Sequence, residues 1–193
     1  SGVVVPDEGA DAIASGQLNV ESIEPGGRGG KVAVLGERVG LVDATVNASG
    51  ENGGGRVLIG GENRGNGTLP NAERTYVNVD SSIRAIAITD GNGGEVIVWA
   101  DGAAIFDGEI SASGGRESGD GGFVELSGRE YLSFQGEVYT LAERGYPGTL
   151  LLDPENITIT IIYGGGGAQD GQLRNDGENR AEILRGEILE ISI

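Results

Sequence analysis

The sequence predicts an all-β fold: a right-handed parallel β-helix (β-solenoid) with three short strands per coil. Three observations carry this. A pair of small residues recurs ahead of alternating aliphatics. Gly29 and Gly30 precede Val32 and Val34, and Gly54 and Gly55 precede Val57 and Ile59. Gly93 and Gly94 precede Val96 and Val98, Gly121 and Gly122 precede Val124 and Leu126, and Pro147 and Gly148 precede Leu150 and Leu152. The aliphatics always stand two and four residues beyond the pair, which is strand period. The motif returns about every 25–28 residues with one longer interval, as in a solenoid whose units cover each other's apolar faces.

Each unit continues beyond its first strand. A terminal aliphatic pair closes it: Val46 and Ala48, Ile83 and Ala85, Ile110 and Ala112, Val138 and Thr140. Leu18 and Val20 are the equivalent pair of an incomplete first unit. Between first and terminal pairs lies a third: Val77 and Val79, Ala104 and Phe106, Leu132 and Phe134, with Val39 and Leu41 displaced by about one residue. Three alternating strands per unit would build three parallel sheets around one apolar column, with β-branched residues favoured on the buried pleats. Lys31, Arg56, Glu95, Glu125 and Arg129 alternate with the core positions and are expected on a wet face. Leu58, Ile97, Trp99, Phe123 and Leu151 break that rule. They mark either packing beneath a loop, isolated exposure, or a contact surface for a partner.

The long interval holds residues 61–75 (GENRGNGTLPNAERT), which are polar and lack strand alternation. They read as a loop protruding from one corner, the place where solenoids often carry binding. Coils are expected over 1–160 and an irregular capping or linking segment over 161–193. Within the latter, residues 156–163 are strand-like, and residues 181–193 are ambiguous between a short helix and a strand.

Composition narrows the function classes. Among 193 residues there are 38 Gly but only 5 Pro, which excludes a collagen triple helix. The glycines fall between apolar runs, as turns needing positive φ would. The formal net charge of −17 repels phosphate backbones, so no nucleic-acid partner is expected. It suits solubility of an extended object, with capture of cations as the sharper alternative. Cys, His and Met are absent, which removes disulfides, thiolate nucleophiles and His-ligated metals. No run of 18 or more apolar residues occurs, so no membrane insertion is expected. The first residue is Ser, so the chain reads as a fragment or a processed piece.

Three Gly/Asp clusters, at 89–94, 118–122 and 168–171, invite a calcium reading. They are single and a whole coil apart rather than tandem, which favours structural turns, and no metal or cofactor site is assigned. Asn47, Asn66 and Asn156 head Asn-X-Ser/Thr patterns, which matter only in a glycosylating host. Parallel β-helices also house polysaccharide lyases and hydrolases, which need carboxylates on adjacent rungs. Asp101, Asp107 and Glu109, with Glu130 and Glu137 a coil later, form either such an acidic ladder or a solvated edge. The solvated edge is the reading adopted, and no catalytic residue is assigned.

With the repeat laid out, the segments 29–50, 53–72, 90–102 (DGNGGEVIVWADG), 118–128 (SGDGGFVELSG) and 148–159 are together similar to the passenger region of two-partner-secretion proteins. The resemblance is to the filamentous-haemagglutinin-like type of cyanobacteria and covers about residues 16–160. It implies a right-handed β-helix, export through an outer-membrane secretion partner, and a place on the cell surface or outside the cell. The family's secretion domain carries Asn-Pro-Asn motifs that are absent here, so the segment is expected to be shaft. The expected function is a non-catalytic rigid segment of a secreted adhesin or filament. Host or neighbouring-cell surface glycans and head-to-tail copies of the chain are its candidate partners. The alternatives are a carbohydrate-active β-helix enzyme, or a binding module that uses the 61–75 loop.

Overall fold

The computed structural model describes residues 2–4, 9–153, 172–175 and 181–184. It is a parallel β-solenoid of about five turns. The first sheet stacks β1 (Gly2–Val4), β3 (Lys31–Val34), β5 (Arg56–Ile59), β8 (Glu95–Ala100), β11 (Phe123–Gly128) and β14 (Thr149–Leu152), all parallel. All of these except β1 follow the small-residue pairs. The second sheet holds β6 (Arg74–Val77), β9 (Ala103–Phe106) and β12 (Tyr131–Phe134); the third holds β7 (Ser82–Arg84), β10 (Glu109–Ser111) and β13 (Glu137–Tyr139). In the first two coils one long strand serves both sheets. β4 (Arg38–Asn47) pairs with β6 along its first half and with β7 along its second, and β2 (Asp11–Asn19) lies along β4 throughout. β4 turns the corner at Asp43, which has a positive φ of 52°.

The inner column follows the strand registers. Val32, Val57, Val96, Val124 and Leu150 form one row, and Val34, Ile59, Val98, Leu126 and Leu152 the next. Val46, Ile83, Ile110 and Val138 stack in the third sheet, where Leu18 heads the row as expected. Phe106 and Phe134 stack in the second, with ring centroids 6.0 Å apart. One assignment shifts. The second-sheet pair in the coil that begins at Gly54 is Thr75 and Val77, which register with Ala104 and Phe106. Val79 is 72% exposed. Six residues separate Val77 from Ile83 but only four separate Phe106 from Ile110. The corner in that coil is therefore two residues longer, and counting back from Ile83 lands outside the strand.

The small-residue pairs are explained by contact. None of the paired glycines has positive φ. The chain needs glycine there because successive coils touch backbone to backbone. A Cβ on Gly54 would lie 2.0 Å from the carbonyl oxygen of Ala85, and one on Gly93 would lie 2.0 Å from that of Ala112. The second glycine of each pair closes its own coil: Gly55 N–H donates to the Ala48 carbonyl and Gly94 N–H to that of Ala85.

At the far end, β16 (Ala181–Leu184) pairs antiparallel with β14, and β15 (Gln172–Asn175) pairs antiparallel with β16. Residues 181–184 are thus strand, laid on the edge of the last coil. The expected strand at 156–163, the remainder of 181–193 and the 160/161 boundary lie outside the described residues. At the near end β1 is an ordinary rung of the first sheet.

Candidate functional site

The long loop and the outer face of the first sheet form one unit. Cross-strand register places Ala33, Leu58, Ile97, Glu125 and Leu151 in a single outward row. Ala33, Leu35, Leu58, Ile97 and Trp99 make a second apolar cluster outside the solenoid column, with Leu69 of the loop and Phe123 packed on it. The loop follows β5 as expected, but it turns back across the sheet instead of standing off it. It ends sooner than expected, since Ala72 is buried in the core and β6 begins at Arg74.

Polar contacts hold it in place. Glu62 accepts hydrogen bonds from the N–H groups of Thr68 (3.0 Å) and Leu69 (3.2 Å), closing the loop on itself. These bonds, the one from Leu69 foremost, lower the pKa of the Glu62 carboxyl. Gly65 sits against the indole, so that a Cβ there would lie 2.5 Å from Trp99 Cζ2. Asn71 Nδ2 donates to the Gly65 carbonyl (3.0 Å) and to Asp101 Oδ1 (3.3 Å), which also accepts from Trp99 Nε1 (3.1 Å).

The farthest-reaching contact involves Glu125. This side chain was expected on a wet face, yet it is 0% exposed. Its row neighbours are Ile97 and Leu151, and the tip of the long loop lies against it. Its two carboxylate oxygens accept the backbone N–H of Arg64 at 3.0 and 3.2 Å, and Ser127 Oγ donates to Oε1 at 3.0 Å. Arg64 has a φ of 55°, the left-handed turn at the tip of the loop. Burial pushes the Glu125 pKa up to about 6 against the opposing pull of these bonds. The signal for this role was present in the sequence: Glu125 is the one acid in a row otherwise built of Ala33, Leu58, Ile97 and Leu151.

The acidic residues singled out earlier fall at two different corners. Asp101 and Glu130 lie where the first sheet passes into the second, and Asp107, Glu109 and Glu137 where the second passes into the third. Asp101 is occupied by Trp99 and Asn71. Glu109 and Glu137 do stack in register on adjacent rungs, and Tyr139 donates its hydroxyl to Glu137.

Two of the Gly/Asp clusters act as turn ladders. Asn92 Oδ1 accepts the N–H of Asp120 (2.9 Å), and Asp120 Oδ1 accepts that of Tyr146 (2.8 Å), each from the next coil. The cluster at 168–171 lies outside the described residues. Among the described residues no group of three or more acidic side chains converges as a metal would require. Along the same corner the glycine pairs floor an open groove of ≈ 860 Å³, with Arg28, Lys31 and Arg56 at one end and Phe123 and Tyr146 at the other. Arg56 is paired with Glu95 at 2.6 Å. No helix of the described residues is long and apolar enough to cross a membrane.

No protein-family model matches this chain. No curated protein matches it either. Among solved structures it is similar to the crystal structure of the HMW1 secretion domain from Haemophilus influenzae, with a TM-score of 0.54 and 25% identity. The match covers 79% of this chain and 48% of the other, so the chain spans about half the length of that domain.

Proposed function

We propose that this chain is a non-catalytic structural segment of the passenger region of a secreted two-partner-secretion protein, working as a rigid spacer in a cell-surface adhesin or filament. The observation that carries this is the unbroken register of the first sheet from β1 to β14. Every rung repeats the same hydrogen-bonded closure, and each adds about 4.8 Å of length. Such a structure converts sequence into reach. The fold likeness to a secretion domain and the sequence resemblance to two-partner-secretion passengers both support export through an outer-membrane partner. Glycan binding and head-to-tail association are finer readings of the same proposal, taken from the sequence resemblance alone.

Export is tested by fusing the segment behind a secretion domain of this type and measuring its release with and without the cognate outer-membrane transporter. Release that depends on the transporter supports the reading. Retention of a folded segment in the periplasm overturns it. A lyase assay on uronic-acid polymers tests the enzyme alternative, and cleavage lost in Glu109→Gln or Glu137→Gln would establish it.

A further inference from the structure

We propose that residues 61–71 form a strap over an apolar face of the first sheet, and that protonation of Glu125 governs whether the strap is closed. The geometry supplies both halves of the device. Beneath the strap lies an apolar cluster that includes Leu58, Ile97 and Trp99, with Leu69 of the strap packed on it and Phe123 of β11 at its side. Above it, the strap tip is tied to the sheet by hydrogen bonds from the Arg64 N–H to a carboxylate 61 residues away. Closure removes that carboxylate from water between two aliphatic neighbours, so closure and ionisation oppose each other.

The charged surroundings favour Glu125 as the controlling group. On its own strand only the Ser127 hydroxyl meets it. From the strap come the Arg64 N–H and guanidinium, which favour its charged form, and beyond β14 the Asp153 carboxylate disfavours it. Glu182 of β16 stands one register position further, against Leu151. Glu62, Arg56 and Lys31 form a separate group at the strap's base. At the other flank Asp101 holds Trp99 and lies 3.9 Å from Arg129.

The sign follows from the two states. In the open strap Glu125 is hydrated and titrates near the ordinary 4.5, whereas in the closed strap it titrates at about 6. The closed form therefore binds the proton more tightly. The closed-to-open ratio falls as pH rises through this window, by up to roughly 30-fold. The strap is tight in mild acid and loosened at neutral pH.

Trp99, the one tryptophan of the chain, reports on the strap directly. Acrylamide quenching of Trp99 in the full chain is measured from pH 4.5 to 7.5. We expect quenching to rise with a midpoint near 6, Glu125→Gln to stay protected across the range, and Asp101→Asn to keep the step. At pH 7.5, trypsin should cut after Arg64 more slowly in Glu125→Gln, by about tenfold. A wild-type profile without a step, a step that survives in Glu125→Gln, or equal cleavage of the two proteins would overturn the proposal. Should Glu125→Gln fail to fold, Ser127→Ala serves instead. It removes a bond to the charged form and should move the midpoint to higher pH, and an unmoved midpoint overturns the proposal.

Discussion

The α-carbon of Gly54 faces the carbonyl oxygen of Ala85 so closely that an added Cβ would stand 2.0 Å from it. The same approach recurs between Gly93 and Ala112 and between Gly121 and Thr140. Both partners are backbone, so no rotamer change relieves the clash. Gly93→Ala should therefore cost about 3 kcal/mol or more. Gly16→Ala, where nothing lies within 4 Å, should cost only the positive-φ strain of about 1 kcal/mol. Equal losses in urea melts would show that the pair glycines serve flexibility and not contact.

Val98 stacks between Ile59 and Leu126 at the centre of the column. Val98→Asp would bury an unpaired charge and should cost several kcal/mol, enough to unfold the solenoid. Val79→Asp, on the lengthened corner, should change stability by less than about 0.5 kcal/mol. Comparable unfolding midpoints for the two variants would reinstate Val79 as a core residue.

The strap should contribute to stability without being needed for the fold. Replacing residues 62–71 by a short Gly-Ser turn leaves every sheet register intact but uncovers Leu58, Ile97 and Trp99. Circular dichroism should stay β-rich while stability drops by on the order of 3 kcal/mol and Trp99 emission shifts to the red. Unchanged Trp99 emission would mean that the strap does not cover the indole.

The raised pKa of Glu125 also bears on global stability. The unfolded chain releases this proton near 4.5 and the folded chain near 6, so the native state carries more protons between those values. Stability from this group is fully present below about 4.5 and declines as pH rises through about 6, by about 2 kcal/mol. Glu62 acts in the opposite sense, since its lowered pKa gives support that is lost as pH falls below the ordinary carboxylate range. Denaturant melts at pH 4.5 and 7.5 should show the decline in the wild type and lose it in Glu125→Gln.

Turn and metal roles at Asp120 separate cleanly. As an acceptor for the Tyr146 N–H, Asp120 should tolerate Asn and lose about 1 kcal/mol on change to Ala. A calcium ligand would suffer from both changes, and chelator would then lower the melting temperature of the wild type.

The sequence by itself determined the solenoid. Strand period after Gly29–Gly30 and its four successors, together with the terminal pairs ending at Ala48, Ala85, Ala112 and Thr140, places first-sheet and third-sheet rungs in register. Those signals are local and repeat, so a single chain suffices to read them. It also put Val98 inward and a loop after β5. The tertiary structure alone decided what that loop does, because its contacts with Trp99, Asp101 and Glu125 reach one and two coils away and leave no periodicity. Glu125 shows why: alternation assigned it to the outer face correctly, but an outer face is wet only when nothing lies across it. Val79 shows the other limit, since a corner two residues longer shifts the count without altering the pattern on either side. The pair glycines show it a third time, because their composition is plain in the sequence, whereas the carbonyl oxygens that exclude a Cβ belong to the next coil.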